Sequence, residues 1–402
     1  MSTKLQQEVW ALDRCSGCGV CVAACSKGVL YWGEEQHPLL EEREKALGLS
    51  HLKLRTCEVC EKFCELSCPR LVDWTPLEPR AMFSARSAGV VHSGAPNDVI
   101  QALLVAARSA DLIDGVVMLD MDPWTLEPVA RVATTVDEIV SSVGMQYLWA
   151  PVLDALNEAV FELGLTRLAV VGSPCVAEGA RRLVNAEHER LWPYQQAIRL
   201  TIAPFCTGVY MPDMVTELLE RGMGIARHQI RGLTTSVTDG TLAVSLWDGT
   251  ERTIPLTDVE PFTRHGCGSC DDYLGESADI AVGTVGAQPG YATLIVRTPA
   301  GEVCVQNARG FGLLETIAPV DKAALSAAKE EKDRRARAQA FDEFRILTLD
   351  ALSDPQKRAQ VRKQFVSLYG APPLSPPKLG GRKGGAEAAK KREECDVTCS
   401  GC

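Results

Sequence analysis

The sequence predicts an α+β protein with an α/β core, set between a cysteine-rich module at its start and a helical extension with a flexible tail at its end. Three observations predict it. Eight of the sixteen cysteines fall within the first 70 residues, helical stretches alternate with short β-rich runs from about Ser84, and Pro, Gly and Lys crowd the last thirty residues. Alternating helices and short apolar runs imply helices laid on a sheet.

The opening module is the most informative part. Cys15, Cys18, Cys21 and Cys25 stand in CSGCGVCVAACSKG, and Cys57, Cys60, Cys64 and Cys68 in CEVCEKFCELSCP. Spacing of the C-x2-C-x2-C-x3-C type lets thiolates converge on neighbouring irons of a 4Fe-4S cube, and in two-cluster ferredoxins the last Cys of each run serves the other cube. Cys15, Cys18, Cys21 and Cys68 are therefore assigned to one cluster and Cys57, Cys60, Cys64 and Cys25 to a second. Two features depart from the pattern: Ser26 replaces the usual proline, and the gap between Cys60 and Cys64 is one residue longer. A pair of zinc knuckles is the alternative, since CxxC pairs also bind tetrahedral zinc.

Composition bounds the rest. With 402 residues, 46% of them apolar and 23% charged, the chain can fill two or three domains. Arg and Asp interrupt the longest apolar stretch, VIQALLVAARSADLIDGVVML, before it reaches bilayer-spanning length, and no basic-then-apolar signal opens the chain. A cytoplasmic location without a transmembrane segment is expected, compatible with peripheral docking on a membrane complex. Clustered cysteines in such a chain point to metal binding in a reducing compartment. The net charge of -10 argues against nucleic-acid binding.

Along the chain the expected divisions are 1–78 for the ferredoxin-like module, 79–165 and 166–320 for the two parts of the core, 321–370 for the helical extension, and 371–402 for the tail. An insertion, YWGEEQHPLLEEREKALGLSH, reads as a short helix and loop between the Cys runs. VIQALLVAARSA, VDEIVSSV and PVLDALNEAVFELG read as helices, and GVVMLD and RLAVVG as strands. Further strands are expected at IRLTIAPF, TLAVSLWDG, ERTIPL, ADIAVG, ATLIVRT and EVCVQN. The charged segment from about Val320 reads as helices lying on the core, against a partner, or in solvent.

A third group of four comprises Cys175, Cys206, Cys267 and Cys270. Singly, Cys175 and Cys206 read as small buried hydrophobes. Each nevertheless follows an expected strand and is read as opening a helix, so both emerge at the carboxyl edge of one sheet, where ligands of α/β proteins gather.

These segments also carry a resemblance. SARS at 84–87, IDGVVM at 113–118, ATTVDEI at 133–139, GSPC at 172–175, FC at 205–206, CGSCDDYLGESADIAVGTVG at 267–286 and GYATLIVRT at 290–298 resemble the family made up of the beta subunits of coenzyme F420 hydrogenases and dehydrogenases. The resemblance runs from about Ser84 to Asn307. It implies a noncovalent FAD, a proximal 4Fe-4S cluster held by Cys175, Cys206, Cys267 and Cys270, and hydride exchange with a diffusible carrier such as coenzyme F420. With the ferredoxin module, it resembles the electron-input subunits of F420-linked dehydrogenases. A hydride brings two electrons, clusters accept one, and a flavin can connect the two.

FAD phosphates need backbone N–H donors at helix starts or glycine turns. The candidates are Ser93, Gly94, Gly172, Ser173, Gly283, Thr284, Val285, Gly286 and Thr293, although each glycine also suits an ordinary turn. SGAPNDVIQALL replaces the family's glycine-rich opening of the first helix. His265 is read as packing beside a cluster ligand or tuning it. Asp271, Asp272 and Asp279 are read as orienting turns around the third group, and Arg86 as a phosphate contact or a surface ion pair. Cys304 is read as buried and inert on a strand. Cys395, Cys399 and Cys402 are read as a redox-sensitive tail or an incomplete metal site. The leading expectation is an iron-sulfur flavoprotein subunit that works with other redox subunits and a diffusible carrier. The alternatives are a reductase acting on an organic substrate, as pigment-reducing relatives do, and a flavin-free relay or adaptor subunit.

Overall fold

The computed structural model describes residues 3–33, 35–40, 60–71, 75–89, 92–122, 125–142, 148–236, 240–317 and 319–350. Cys57, residues 41–51 of the insertion, residues 351–370 of the helical extension and the tail 371–402 with Cys395, Cys399 and Cys402 lie outside the described residues. Residues up to Gln339 form one unit, and a second begins at Ala340.

At the centre is a mixed sheet. Its strands are β3 (Ala81–Ala88), β5 (Gly115–Met121), β6 (Pro128–Ala133), β7 (Leu168–Val171), β8 (Ile198–Pro204), β12 (Ile280–Gly283), β13 (Ala292–Val296) and β14 (Leu314–Ile317). They lie in the order β14-β3-β13-β12-β8-β7-β5-β6, with β4 (His92–Ser93) paired to β3. β12, β8, β7 and β5 run parallel. β7 and β12 are buried at every position, as parallel strands covered on both faces must be. That is why RLAVVG and ADIAVG read as unbroken apolar runs.

Successive residues of a strand face opposite layers. Val116, Met118, Ala169 and Val171 join a core beneath the helices Pro96–Ser109 and Pro299–Gly310. Val117, Leu119, Leu168 and Val170 join the opposite core with the helix Pro174–Asn185. Cys18, Val20, Ala23, Ala24 and Phe63 of the N-terminal module belong to that second core. The cysteine-rich module is thus fused to the sheet by shared apolar packing. A smaller sheet, ordered β11 (Glu251–Pro255), β10 (Thr241–Leu246), β9 (Ile230–Ser236), encloses a separate core with Val215 and Leu219.

Two elements differ from the sequence expectation. EVCVQN is helical: Pro299 opens the helix, and the Thr298 side chain accepts a hydrogen bond from the Gly301 N–H. This N-terminal cap overrides the β-rich composition. Cys304 is buried as expected, but on that helix, where its thiol faces the Leu103 carbonyl at 3.6 Å. PVLDALNEAVFELG is helical without a break from 152 to 162, as expected, opening tightly over Val152–Ala155 and widening over Glu158–Glu162. Its Leu153 N–H, a first-turn donor with no acceptor inside the helix, bonds to the Cys18 carbonyl at 3.0 Å. The insertion begins as a hairpin, with β1 (Leu30–Tyr31) antiparallel to β2 (Leu39–Leu40), where a helix and loop are expected.

The charged segment forms the helix Lys322–Asp350. Among the described residues no helix is long and apolar enough to cross a membrane.

Candidate functional site

The carboxyl ends of the parallel strands carry the site. After β7 the chain turns through Gly172 and Ser173 into the helix Pro174–Asn185, placing Cys175 in its first turn. After β8 come Phe205 and Cys206, whose N–H bonds to the Tyr273 carbonyl at 3.0 Å. Cys206 emerges at the expected edge, but a loop follows it, and the next helical segment starts only at Val215. Cys267 lies in the turn His265–Gly268, and the Cys270 N–H bonds back to the Cys267 carbonyl.

The four thiols meet. Burial pushes Cys175 up to about 11, reinforced by Cys270 and Cys267. Cys206 is pushed up to about 12 by burial, reinforced by Cys267, Cys175 and Cys270 and opposed by Lys332. Cys267 is also raised, first by burial and then by Cys270.

The N-terminal thiols gather across the two runs. Burial raises Cys21, and Cys18, Cys15, Cys68 and Cys64 add to it. Cys18 is raised by burial and by Cys175, Cys68 and Cys15. Burial lifts Cys68 to about 12, with Cys15 reinforcing and Arg70 opposing. Cys25, Cys60 and Cys64 line one small pocket with Ala24, Leu30 and Phe63. The longer gap in the second run contains Lys62, which takes a left-handed φ of 54° just before the helix Phe63–Leu66.

Such thiols oppose one another's ionisation, and only a cation-rich core reverses that. Among the described residues no three Cys, His, Asp or Glu side chains converge on a single ion. Groups made of thiols alone are the donor chemistry that a 4Fe-4S cube takes, and tetrahedral zinc takes it as well.

Cys18 and Cys175 bring the first and third groups side by side, across a small pocket bordered by Gly17, Trp149 and Ser173. Two arginines secure this junction. Arg264 is fully buried, with its guanidinium 4.3 Å from the Trp149 ring centroid and its Nε donating to the Cys15 carbonyl at 3.3 Å. Trp149 Nε1 donates to the Gly17 carbonyl at 3.0 Å. Arg70 donates to the Gly266 carbonyl at 3.1 Å; burial works against its charge, yet Cys270 and Cys175 hold its pKa above the ordinary range.

Neither arginine nor Trp149 carries a sequence signal. Of the residues just before Cys267, Arg264 packs and His265 is exposed, with its backbone N–H on the Gln36 side chain. Gly266 leaves no room either, because a Cβ there would lie 2.0 Å from the Cys15 carbonyl oxygen. Gly266→Ala is therefore expected to cost about 1–3 kcal/mol by forcing the two loops apart. A thermal unfolding midpoint equal to that of the unaltered protein would refute it.

The flavin candidates separate into two places. Gly172 and Ser173 lie beside Cys175, with Ser173 Oγ 3.1 Å from its thiol and the Gly172 N–H bonded to the Ile202 carbonyl. The others surround the ends of β3, β12 and β13. Ser93 Oγ accepts from the Ala95 N–H, and a Cβ on Gly94 would strike the Gly290 carbonyl. Gly283 pairs with Thr293 across β12 and β13 and faces the Phe205 ring. Thr293 is buried and donates to the Val285 carbonyl at 2.7 Å. These contacts explain Gly94, Gly283 and Thr293 by packing. The N–H groups of Thr284, Val285 and Gly286 have no acceptor among the described residues, so this turn fits an anionic group.

The acidic candidates divide as well. Asp272 accepts from the Glu276 N–H near the third group. Asp279, directly before β12, lies at the opposite end of that strand and braces β8, not the cysteines. Arg86 pairs with Glu315 at 2.6 Å on the surface.

The thiols gather at the ligand edge of a mixed α/β sheet, and the chain is an oxidoreductase. Residues 82–157 match the N-terminal part, and residues 165–322 the C-terminal part, of the coenzyme F420 hydrogenase/dehydrogenase beta subunit, and the chain belongs to that family. It is 32% identical over 353 residues to an uncharacterized protein of Methanocaldococcus jannaschii, covering 83% of this chain and 97% of that one. It is 28% identical to one of the subunits of the F(420)H(2) dehydrogenase of Methanosarcina mazei, covering 73% of this chain and 82% of the relative. A chain of the F420-reducing NiFe hydrogenase complex from Methanosarcina barkeri shares the fold, with a TM-score of 0.60 at 23% identity over 67% of this chain and 94% of that one.

Proposed function

We propose that the chain is an iron-sulfur flavoprotein subunit: it exchanges a hydride between coenzyme F420, or a similar two-electron carrier, and FAD, and relays single electrons through three 4Fe-4S clusters to another redox subunit. The observation that carries this reading is the contact between thiol groups. Cys18 belongs to the first set and Cys175 to the third, and each thiol group adjoins the next. Cys21 in turn neighbours Cys64 of the second set.

In this reading the residues hold, space and shield. Cys175, Cys206, Cys267 and Cys270 hold the cluster nearest the sheet, Cys15, Cys18, Cys21 and Cys68 the next, and Cys25, Cys57, Cys60 and Cys64 the outermost. Arg264 and Trp149 fix the separation of the first two. Thr284, Val285 and Gly286 supply donors for a flavin phosphate at the carboxyl end of β12. The divisions at residues 78, 165, 320 and 370 belong to the same reading, as does work within a larger complex.

Protein purified without oxygen is expected to carry about twelve irons per chain, four for each cube, and to release a fluorescent flavin on denaturation. Reduced coenzyme F420 should bleach the flavin, and NADH or formate should not. Iron without flavin would replace this reading by a relay subunit. Zinc in place of iron would end it.

A further inference from the structure

Lys332 lies ten residues beyond the last residue of the matched family region, on the helix Lys322–Asp350. The first turns of that helix are seated on the core: Leu325 packs with Ala281 and Ile295, and Lys329 pairs with Glu276 at 2.8 Å. One turn further on, Lys332 is only 7% exposed and donates from Nζ to the Cys206 carbonyl at 2.5 Å. Among the described residues it forms no ion pair with a carboxylate. Its nearest ionisable neighbours are Cys270, Cys206 and Cys267, followed by Asp272.

A buried ammonium is costly unless an anion compensates it. Neutral thiols do not, but four thiolates around a cluster would. We propose that Lys332 is the counter-cation of the cluster held by Cys175, Cys206, Cys267 and Cys270, an electrostatic positioning residue that raises its reduction potential. The inference rests on the cluster assignment above. Reduction adds one electron and no proton to the cluster, and a desolvated positive charge beside its ligands favours the more negative state. The residue comes from a helix segment beyond the stretch that the family model matches.

The test compares the full-length, anaerobically purified protein with Lys332→Gln and Lys332→Arg. Iron content is measured first, then the midpoint of each paramagnetic centre in a dithionite titration. Lys332→Gln should keep its iron and lower the reduction equilibrium constant of one centre by about tenfold or more, equivalent to about 59 mV for one electron. Lys332→Arg should stay close to the unaltered protein. Lys332→Met, which keeps the apolar stem, carries the same expectation as Gln if the Gln variant does not fold. A neutral variant with full iron and unmoved midpoints overturns the role of Lys332 while leaving the three clusters standing. An unaltered protein with fewer than three centres overturns the cluster assignment itself.

Discussion

Replacing Asp279 by alanine lowers the stability of the fold by about 3–5 kcal/mol, the range for removing one partner of a buried ion pair. The carboxylate is a hub. One oxygen accepts from Arg181 at 2.7 Å and from the Thr298 hydroxyl at 2.5 Å; the other accepts from the Thr201 N–H at 2.7 Å and its hydroxyl at 2.8 Å. Asp279 and Arg181 side chains are 5% and 17% exposed, so water replaces little of this. Truncation leaves a guanidinium and a backbone N–H of β8 without their acceptor, which is more damaging than the pair was stabilising. Asp279→Asn keeps an oxygen for one side and should lose less. Urea unfolding of the three proteins decides the matter, and a loss below about 1 kcal/mol for the alanine variant would contradict the ion-pair accounting. Iron content should survive in the folded variant, because Asp279 stands away from the cysteines.

Much of this was legible along the chain. The cysteine runs announce themselves by spacing, and β7, β8 and β12 by apolar runs of strand length. From these alone, Cys175 and Cys206 can be placed at one sheet edge. Convergence is what the sequence hides. Arg264 acquires its role only where the Cys15 loop, Gln36, Trp149 and Met211 meet around it. Lys332 is one cation among many on a charged helix until the fold turns it toward Cys206. Local capping misleads in the other direction: the β-branched composition around Cys304 outweighs Thr298 and Pro299 on paper, yet those two start a helix. Asp279 reads as part of a cysteine-rich block because it is nine residues from Cys270, but β12 begins immediately after it, at the amino end of that strand.

On the proposed relay, Cys267→Ala should remove one cluster and stop electrons from leaving the flavin while sparing flavin reduction. Cys267 is where two segments meet. Its carbonyl receives the Cys270 N–H, its thiol takes the Val209 N–H, and a Cβ on Gly208 would lie 4.0 Å from its sulfur. No other described cysteine stands ready to replace it. Cys304, the remaining one outside the three groups, is buried beside Leu103 across the sheet core. Groups that merely orient metal ligands are worth about 10–100-fold in metal affinity or activity, so loss of a ligand should exceed that in transfer to an acceptor protein. Iron should fall from about twelve to about eight per chain, one cube's share, and one paramagnetic centre should vanish. Cys304→Ala should keep every iron. Bleaching by reduced coenzyme F420 at an undiminished rate in the Cys267 variant, with delivery to an artificial acceptor abolished, is the expected pair of results. Undiminished delivery would mean that electrons bypass this thiol group, and the order of the relay would have to be drawn without it.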